Sequence, residues 1–128
     1  MIATDHAPHS EEEKAKSITE APSGILGLET AFAIAQKELI DTKTLDYLQL
    51  FCKMSWNPAQ LYEINAGKIA ECEEADLVVF DPERVWSIEK FASKSQNSPF
   101  RNSLLKGKIE LTMCQGKIIY SELEPKVQ

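Results

Sequence analysis

Apolar positions along the chain change their rhythm once, near Gly67. Before it, Ile25, Leu28, Phe32, Ala35 and Leu39 recur in alternating steps of three and four, which places them on one face of a helix beginning at Ile25. Leu45, Leu48 and Cys52 predict a second helix over residues 45–54, with those side chains inward and Thr44 as N-cap. Asn57-Pro58 predicts a third over residues 58–62: Asn can cap, Pro suits the first helical position, and Gln60 stands at the reciprocal capping distance. After Gly67 the runs shorten and become β-rich. Residues 77–80 form a continuous apolar strand ended by Asp81-Pro82, and residues 85–88 alternate as a half-exposed strand does. Residues 110–114 and 117–120 flank Gln115-Gly116, a two-residue hairpin turn. Residues 93–102 are a polar loop.

The chain's beginning carries one more strand signal. Met1-Ile2-Ala3-Thr4 is small, apolar and suited to the end of a buried strand, which Pro8 cannot continue. Ser10 and Glu13 have the capping-box spacing of a short helix, and Glu20 to Gly24 is a loop. A lone strand end has no ladder partners of its own, so the first half is expected to belong to a larger α/β unit. The expected division is residues 1–66, a barrel-derived segment of strand end and helices, and residues 67–128, a β module.

Composition narrows the partners. With 128 residues, 43% of them hydrophobic, the chain can bury a core. It is too short for a whole (β/α)8 barrel of about 250 residues. Fourteen basic against twenty acidic residues leave a net charge of -6 with no basic stripe, so no nucleic-acid partner is expected. No apolar run approaches the ~20 residues that span a bilayer, and no signal-peptide pattern opens the chain. The expectation is therefore a cytoplasmic protein with no membrane partner. Cys52, Cys72 and Cys114 are odd in number and lack Cys-x-x-Cys spacing, which predicts reduced, mostly buried thiols rather than a disulfide framework or thiolate zinc site.

The chemistry is densest in Thr4-Asp5-His6-Ala7-Pro8-His9. A carboxylate at the mouth of a sheet can ligate a divalent metal and can also accept and return a proton, so Asp5 suits both roles. His6 and His9 each suit a ligand, a group orienting Asp5, or a substrate contact. The bland alternative is that Asp5 caps a turn while the imidazoles bond locally. A catalytic zinc takes about three protein ligands plus water. With two histidines in all, the chain cannot complete such a site by itself. Ser23-Gly24 suits either a helix start or a backbone cradle for a substrate anion. The Phe32 stripe, Trp56 and Trp86 are expected in packing roles.

Thr4-Asp5-His6-Ala7-Pro8-His9, followed by Ala21-Pro22-Ser23-Gly24-Ile25 and Gly27-Leu28-Glu29-Thr30-Ala31, closely resembles the last catalytic segment of class I dihydroorotases. Asn57-Pro58-Ala59, Gly67-Lys68-Ile69, residues 75–82, Ser98-Pro99-Phe100, Gly107 and residues 116–120 match in the same order. The resemblance implies the C-terminal part of a metal-dependent amidohydrolase barrel, its last strand end and helices, followed by the small β-sandwich domain. It implies reversible cyclisation of N-carbamoyl-L-aspartate to dihydroorotate at a zinc centre in pyrimidine biosynthesis. On this resemblance Asp5 is metal ligand and proton shuttle, His9 contacts the substrate carboxylate, and Ser23, Gly24 and the Ala7 backbone touch substrate. His6 takes a supporting role.

The same resemblance makes Ser23 a departure, since family members usually place an aromatic residue before the loop glycine. Asn102 stands where glycine is common. No His-x-His motif, bridging lysine or substrate arginine is present in a recognisable context, so the match covers about the last third of a whole enzyme. The isolated chain is expected to be inactive and to self-associate through apolar helix faces. Two other functions fit these residues: a non-catalytic scaffold for aspartate transcarbamoylase, and part of a hydantoinase or allantoinase.

Overall fold

In the computed structural model, residues 1–123 are described. Helix α1 (Glu11–Lys14) starts at Ser10, whose hydroxyl accepts from Glu13 N while Glu13 reaches back to Ser10 N, as the capping spacing predicts. Helix α2 (Ala31–Ala35) widens into a π-helical segment, Gln36–Ile40. Helix α3 (Tyr47–Phe51), a second π segment (Cys52–Trp56) and α4 (Asn57–Leu61) form one continuous run. Strands β1 (Leu77–Ser87), β2 (Leu104–Cys114) and β3 (Lys117–Ser121) make an antiparallel sheet in the order β1-β2-β3.

The helix predicted from Ile25 starts later. Ile25 lies in an isolated parallel bridge with His6, and Leu28 is 62% exposed. Gly27 explains part of the delay: its backbone is pressed against Thr4, where an added Cβ would stand 2.7 Å from the carbonyl oxygen. The buried positions of α2 and its extension are Ala33, Ala35 and Gln36. In the next run Asp46, not Thr44, is the cap, accepting from Gln49 N at 2.7 Å while Gln49 Oε1 accepts from Asp46 N. The frame therefore shifts: Leu50 is fully buried and Leu48 is 72% exposed. Asn57 does not cap, because its backbone is already helical at φ -62°. Pro58 has no N–H to return to this run, and the widened π segment lies just before it.

The two strands predicted at residues 77–80 and 85–88 are one strand, β1, with a register irregularity between Asp81 and Val85. Asp81 Oδ1 accepts from Glu83 N at 2.8 Å and Arg84 N at 3.2 Å, so the chain turns out of the ladder where Pro82 has no donor, then rejoins it. Strand β2 also begins earlier than the apolar run at residues 110–114, because Lys106, Gly107 and Lys108 interrupt its hydrophobic signal. The predicted hairpin turn is present: Gln115 and Gly116 both have positive φ, 48° and 75°, as a turn matched to strand twist requires.

Met1 to Thr4 is not strand. Ile2 N donates to Lys53 O at 2.9 Å, which ties the segment to the second π segment. The sheet and helices meet at Phe80, whose ring centroid lies 4.7 Å from Phe32, 5.6 Å from Phe51 and 5.7 Å from Tyr47. Gln36, nearly fully buried, donates from Nε2 to Pro82 O at 2.8 Å and accepts from the Tyr47 hydroxyl at 3.2 Å. Gly107 gives it room, since a Cβ there would collide with the Gln36 amide. A second cluster joins Leu26, Ile88 and Phe91, with Trp86 packed against it and donating to Gly107 O at 2.9 Å. Trp86 thus packs as expected, whereas Trp56 is exposed, as are Cys72 and Cys114. Among the described residues the sheet is a single three-stranded layer, and all three thiols are free.

Candidate functional site

Four of the five predicted site residues come together. Ala7 N donates to Ile25 O at 2.9 Å, which lays the opening segment alongside the Ser23-Gly24 loop. Gly24 makes that approach possible: at φ +109° any side chain is strained, and a Cβ would stand 2.5 Å from the Ala7 Cβ. His9 Nε2 lies 2.9 Å from Ser23 O. A carbonyl only accepts, so Nε2 carries the proton and donates. The other ring nitrogen, Nδ1, faces Glu13 Oε2 at 3.9 Å. Ser10's backbone N–H, then its hydroxyl, holds the Glu13 carboxyl below the usual carboxylate range.

Helix α1 serves this arrangement through Lys14, whose Nζ donates to Pro22 O at 2.9 Å and Gly24 O at 3.3 Å. Ser23 and Gly24 precede α2 by a turn and do not lie at a helix N-terminus, so free helix donors do not form the anion cradle there. His6 turns away from the others and accepts from Gly27 N at its Nδ1, 3.1 Å away. Asp5 is exposed, and its backbone sits at φ +46°, a left-handed conformation that Asp tolerates better than most residues. Among the described residues its carboxylate has no hydrogen-bonding or ion-pair partner.

Two residues of the polar loop at 93–102, with no sequence signal of a site, complete the cluster. Asn97 Nδ2 donates to Ala7 O at 3.2 Å and Gly24 O at 3.3 Å, while Oδ1 accepts from His9 N at 3.4 Å and from the Ser95 hydroxyl. Ser95 Oγ also reaches His9 O at 2.5 Å. A groove of about 480 Å³ lies between Pro8, His9, Ser10 and Glu13 on one side and Ser93, Lys94 and Ser95 on the other. A larger cleft of about 590 Å³, beside Phe32, Trp86, Tyr120 and Glu122, contains none of the predicted site residues.

Among the described residues no group of three or more His, Cys, Asp and Glu side chains is placed to hold an ion, and His6 Nδ1 is already bonded. The residues present do not make a metal centre; Asp5 is a single carboxylate offered to solvent.

The amidohydrolase family profile matches residues 1–119. The dihydroorotase of Clostridioides difficile is 50% identical over 121 residues, and that of Clostridium acetobutylicum 45% identical over 124. These matches cover 94% and 95% of this chain but 29% of each relative, so the chain spans under a third of their length. The L-hydantoinase (dihydropyrimidinase) of Arthrobacter aurescens superposes with a TM-score of 0.78 at 27% identity, over 93% of this chain and 27% of that one. A D-hydantoinase structure shares the fold at a TM-score of 0.71, covering 88% of this chain and 25% of its own.

The chain belongs to the amidohydrolase family. Within that family its curated relatives named above are dihydroorotases.

Proposed function

We propose that this chain is the C-terminal portion of a dihydroorotase, which interconverts N-carbamoyl-L-aspartate and dihydroorotate. The observation that carries the reading is 50% identity to a dihydroorotase across 94% of the chain, against 27% to the L-hydantoinase. In this reading residues 1–66 finish a (β/α)8 barrel, residues 67–128 belong to a small β-sandwich, and the enzyme works in the cytoplasm with zinc. Asp5 and groups from the rest of the barrel would together hold the metal. The described residues of this chain form no complete ligand set by themselves.

Asp5 takes a proton from the attacking water and returns it to the ring nitrogen as the C–N bond breaks. Its solvent-facing carboxylate, with no competing partner among the described residues, suits that exchange. His9, Ala7, Ser23 and Gly24 contact the substrate. His9 Nε2–H serves Ser23 O, which fixes the ring against the Ser23-Gly24 loop, and its other nitrogen, Nδ1, faces Glu13 Oε2 at 3.9 Å. Ser23, small where family members usually carry an aromatic residue, leaves that loop open.

The test is a segment exchange. The matching part of the Clostridioides difficile dihydroorotase is replaced by this chain, and the metal-loaded chimera is assayed with dihydroorotate and with hydantoin. Turnover of dihydroorotate alone is expected. Turnover of hydantoin alone would assign the segment to a hydantoinase, and a folded chimera inert toward both would favour a non-catalytic scaffold.

A further inference from the structure

The side chain of Asn97 has two donors and two acceptor positions, and every one meets the site loops or their support. Ala7 O and Gly24 O are both carbonyls that only accept, so the amide must face them with nitrogen. Its oxygen then meets His9 N–H and the Ser95 hydroxyl. The backbone repeats the link, with Leu26 N donating to Asn97 O at 3.0 Å. Asn97 is 90 residues away from Ala7 and 73 from Gly24 in sequence, so these bonds tie the β half of the chain to the two loops.

We infer that Asn97 is the positioning residue of the substrate-contact loops: its carboxamide clamps the Ala7–His9 segment to Gly24, and thereby holds Ser23 O where His9 Nε2 donates to it. This rests on the reading that His9, Ala7 and Gly24 contact substrate. Ser95 braces the clamp from behind by sharing its hydroxyl proton between His9 O and Asn97 Oδ1. Aspartate at position 97 has the same shape but no N–H. It sets a carboxylate against two carbonyl oxygens and drives the loops apart.

The test is nitrogen NMR of the full chain, labelled at histidine and on the backbone, at about pH 8, above the ordinary imidazole range. The parent chain is expected to show His9 as a single Nε2–H tautomer. Asn97→Asp is expected to give a mixture of both tautomers and to move the Ala7 and Gly24 amide signals, with the β2 signals in place. Ser95→Ala is expected to move the same signals less. A single Nε2–H tautomer and unmoved Ala7 and Gly24 signals in Asn97→Asp would overturn the inference. Should Asn97→Asp lose the β2 signals, Ser95→Ala decides by the same criterion. None of these readouts needs turnover, so a failed clamp and a failed dihydroorotase reading are told apart.

Discussion

Single residues set the geometry of the site, and Gly24 carries the sharpest demand. It combines φ +109° with contact against Ala7, so Gly24→Ala meets both strain and collision. The expected loss is about 1–3 kcal/mol, read from urea unfolding. Gly116→Ala is the comparison: its φ is also positive, but nothing lies within 4 Å of an added Cβ. It is expected to cost about 1 kcal/mol. Asp5 and His9 were legible in the sequence as candidates because acid and imidazole stand close together on a short stretch. Asn97 was not: an Asn in a polar loop has the same local pattern whether it faces water or four partners drawn from distant segments. Only the fold brings Ala7, His9 and Gly24 to it.

At the scale of elements, periodicity located the helices and strands better than it located their ends or inward faces. It placed Ile25 and Leu28 on a helix because a three-four spacing does not register the close approach of Gly27 to Thr4. It split β1 in two because Pro82 looks like a stop, whereas Asp81 supplies the acceptor that lets the strand rejoin its ladder. Phe80 and its three aromatic neighbours form one junction between the sheet and the helices. Phe80→Ala is expected to cost about 3 kcal/mol and to weaken the near-ultraviolet circular dichroism of the cluster on the way to unfolding.

The end of β3 adds a dependence on pH. Glu122 Oε2 accepts from Lys108 Nζ at 2.6 Å and from the Arg84 guanidinium at 3.2 Å, while its Oε1 accepts from the Tyr120 hydroxyl at 2.6 Å. The Lys108 bond first, then Tyr120, holds the Glu122 carboxyl below its ordinary range. Its contribution is present above the unfolded value of about 4.3 and is lost as pH falls through the lower folded value. Glu122→Gln is therefore expected to flatten the acid limb of a urea-midpoint profile. Burial first, then the bond to Glu122, pushes the Tyr120 phenol up to about 12. Its contribution is complete below the ordinary tyrosine value of about 10 and is lost as pH rises through the folded one. Tyr120→Phe should remove the matching late phase from an alkaline ultraviolet titration.

For the whole molecule, the decisive fact is extent: 94% of this chain aligns with 29% of a dihydroorotase. The sequence already implied that proportion, because two histidines and one well-placed carboxylate fall short of a metal centre. The fold agrees in leaving Leu48, Leu61, Tyr62, Ile69 and Leu104 exposed. Apolar side chains left open in this way are expected to promote self-association of the isolated chain, seen as a concentration-dependent sedimentation coefficient. A constant monomeric value across the same range would count against it. No helix of the described residues is long and apolar enough to cross a membrane.

In the proposed function this chain supplies part of a dihydroorotase centre, with Asp5 as the working carboxylate. Dihydroorotate turnover, measured on the isolated chain, on the chimera with the Clostridioides difficile enzyme and on that chimera carrying Asp5→Asn, tests it most directly. No turnover by the chain alone, turnover by the chimera, and a loss of about 100-fold or more on Asp5→Asn with the fold unchanged are expected. Turnover by the unaided chain, or full turnover by the Asp5→Asn chimera, would contradict it.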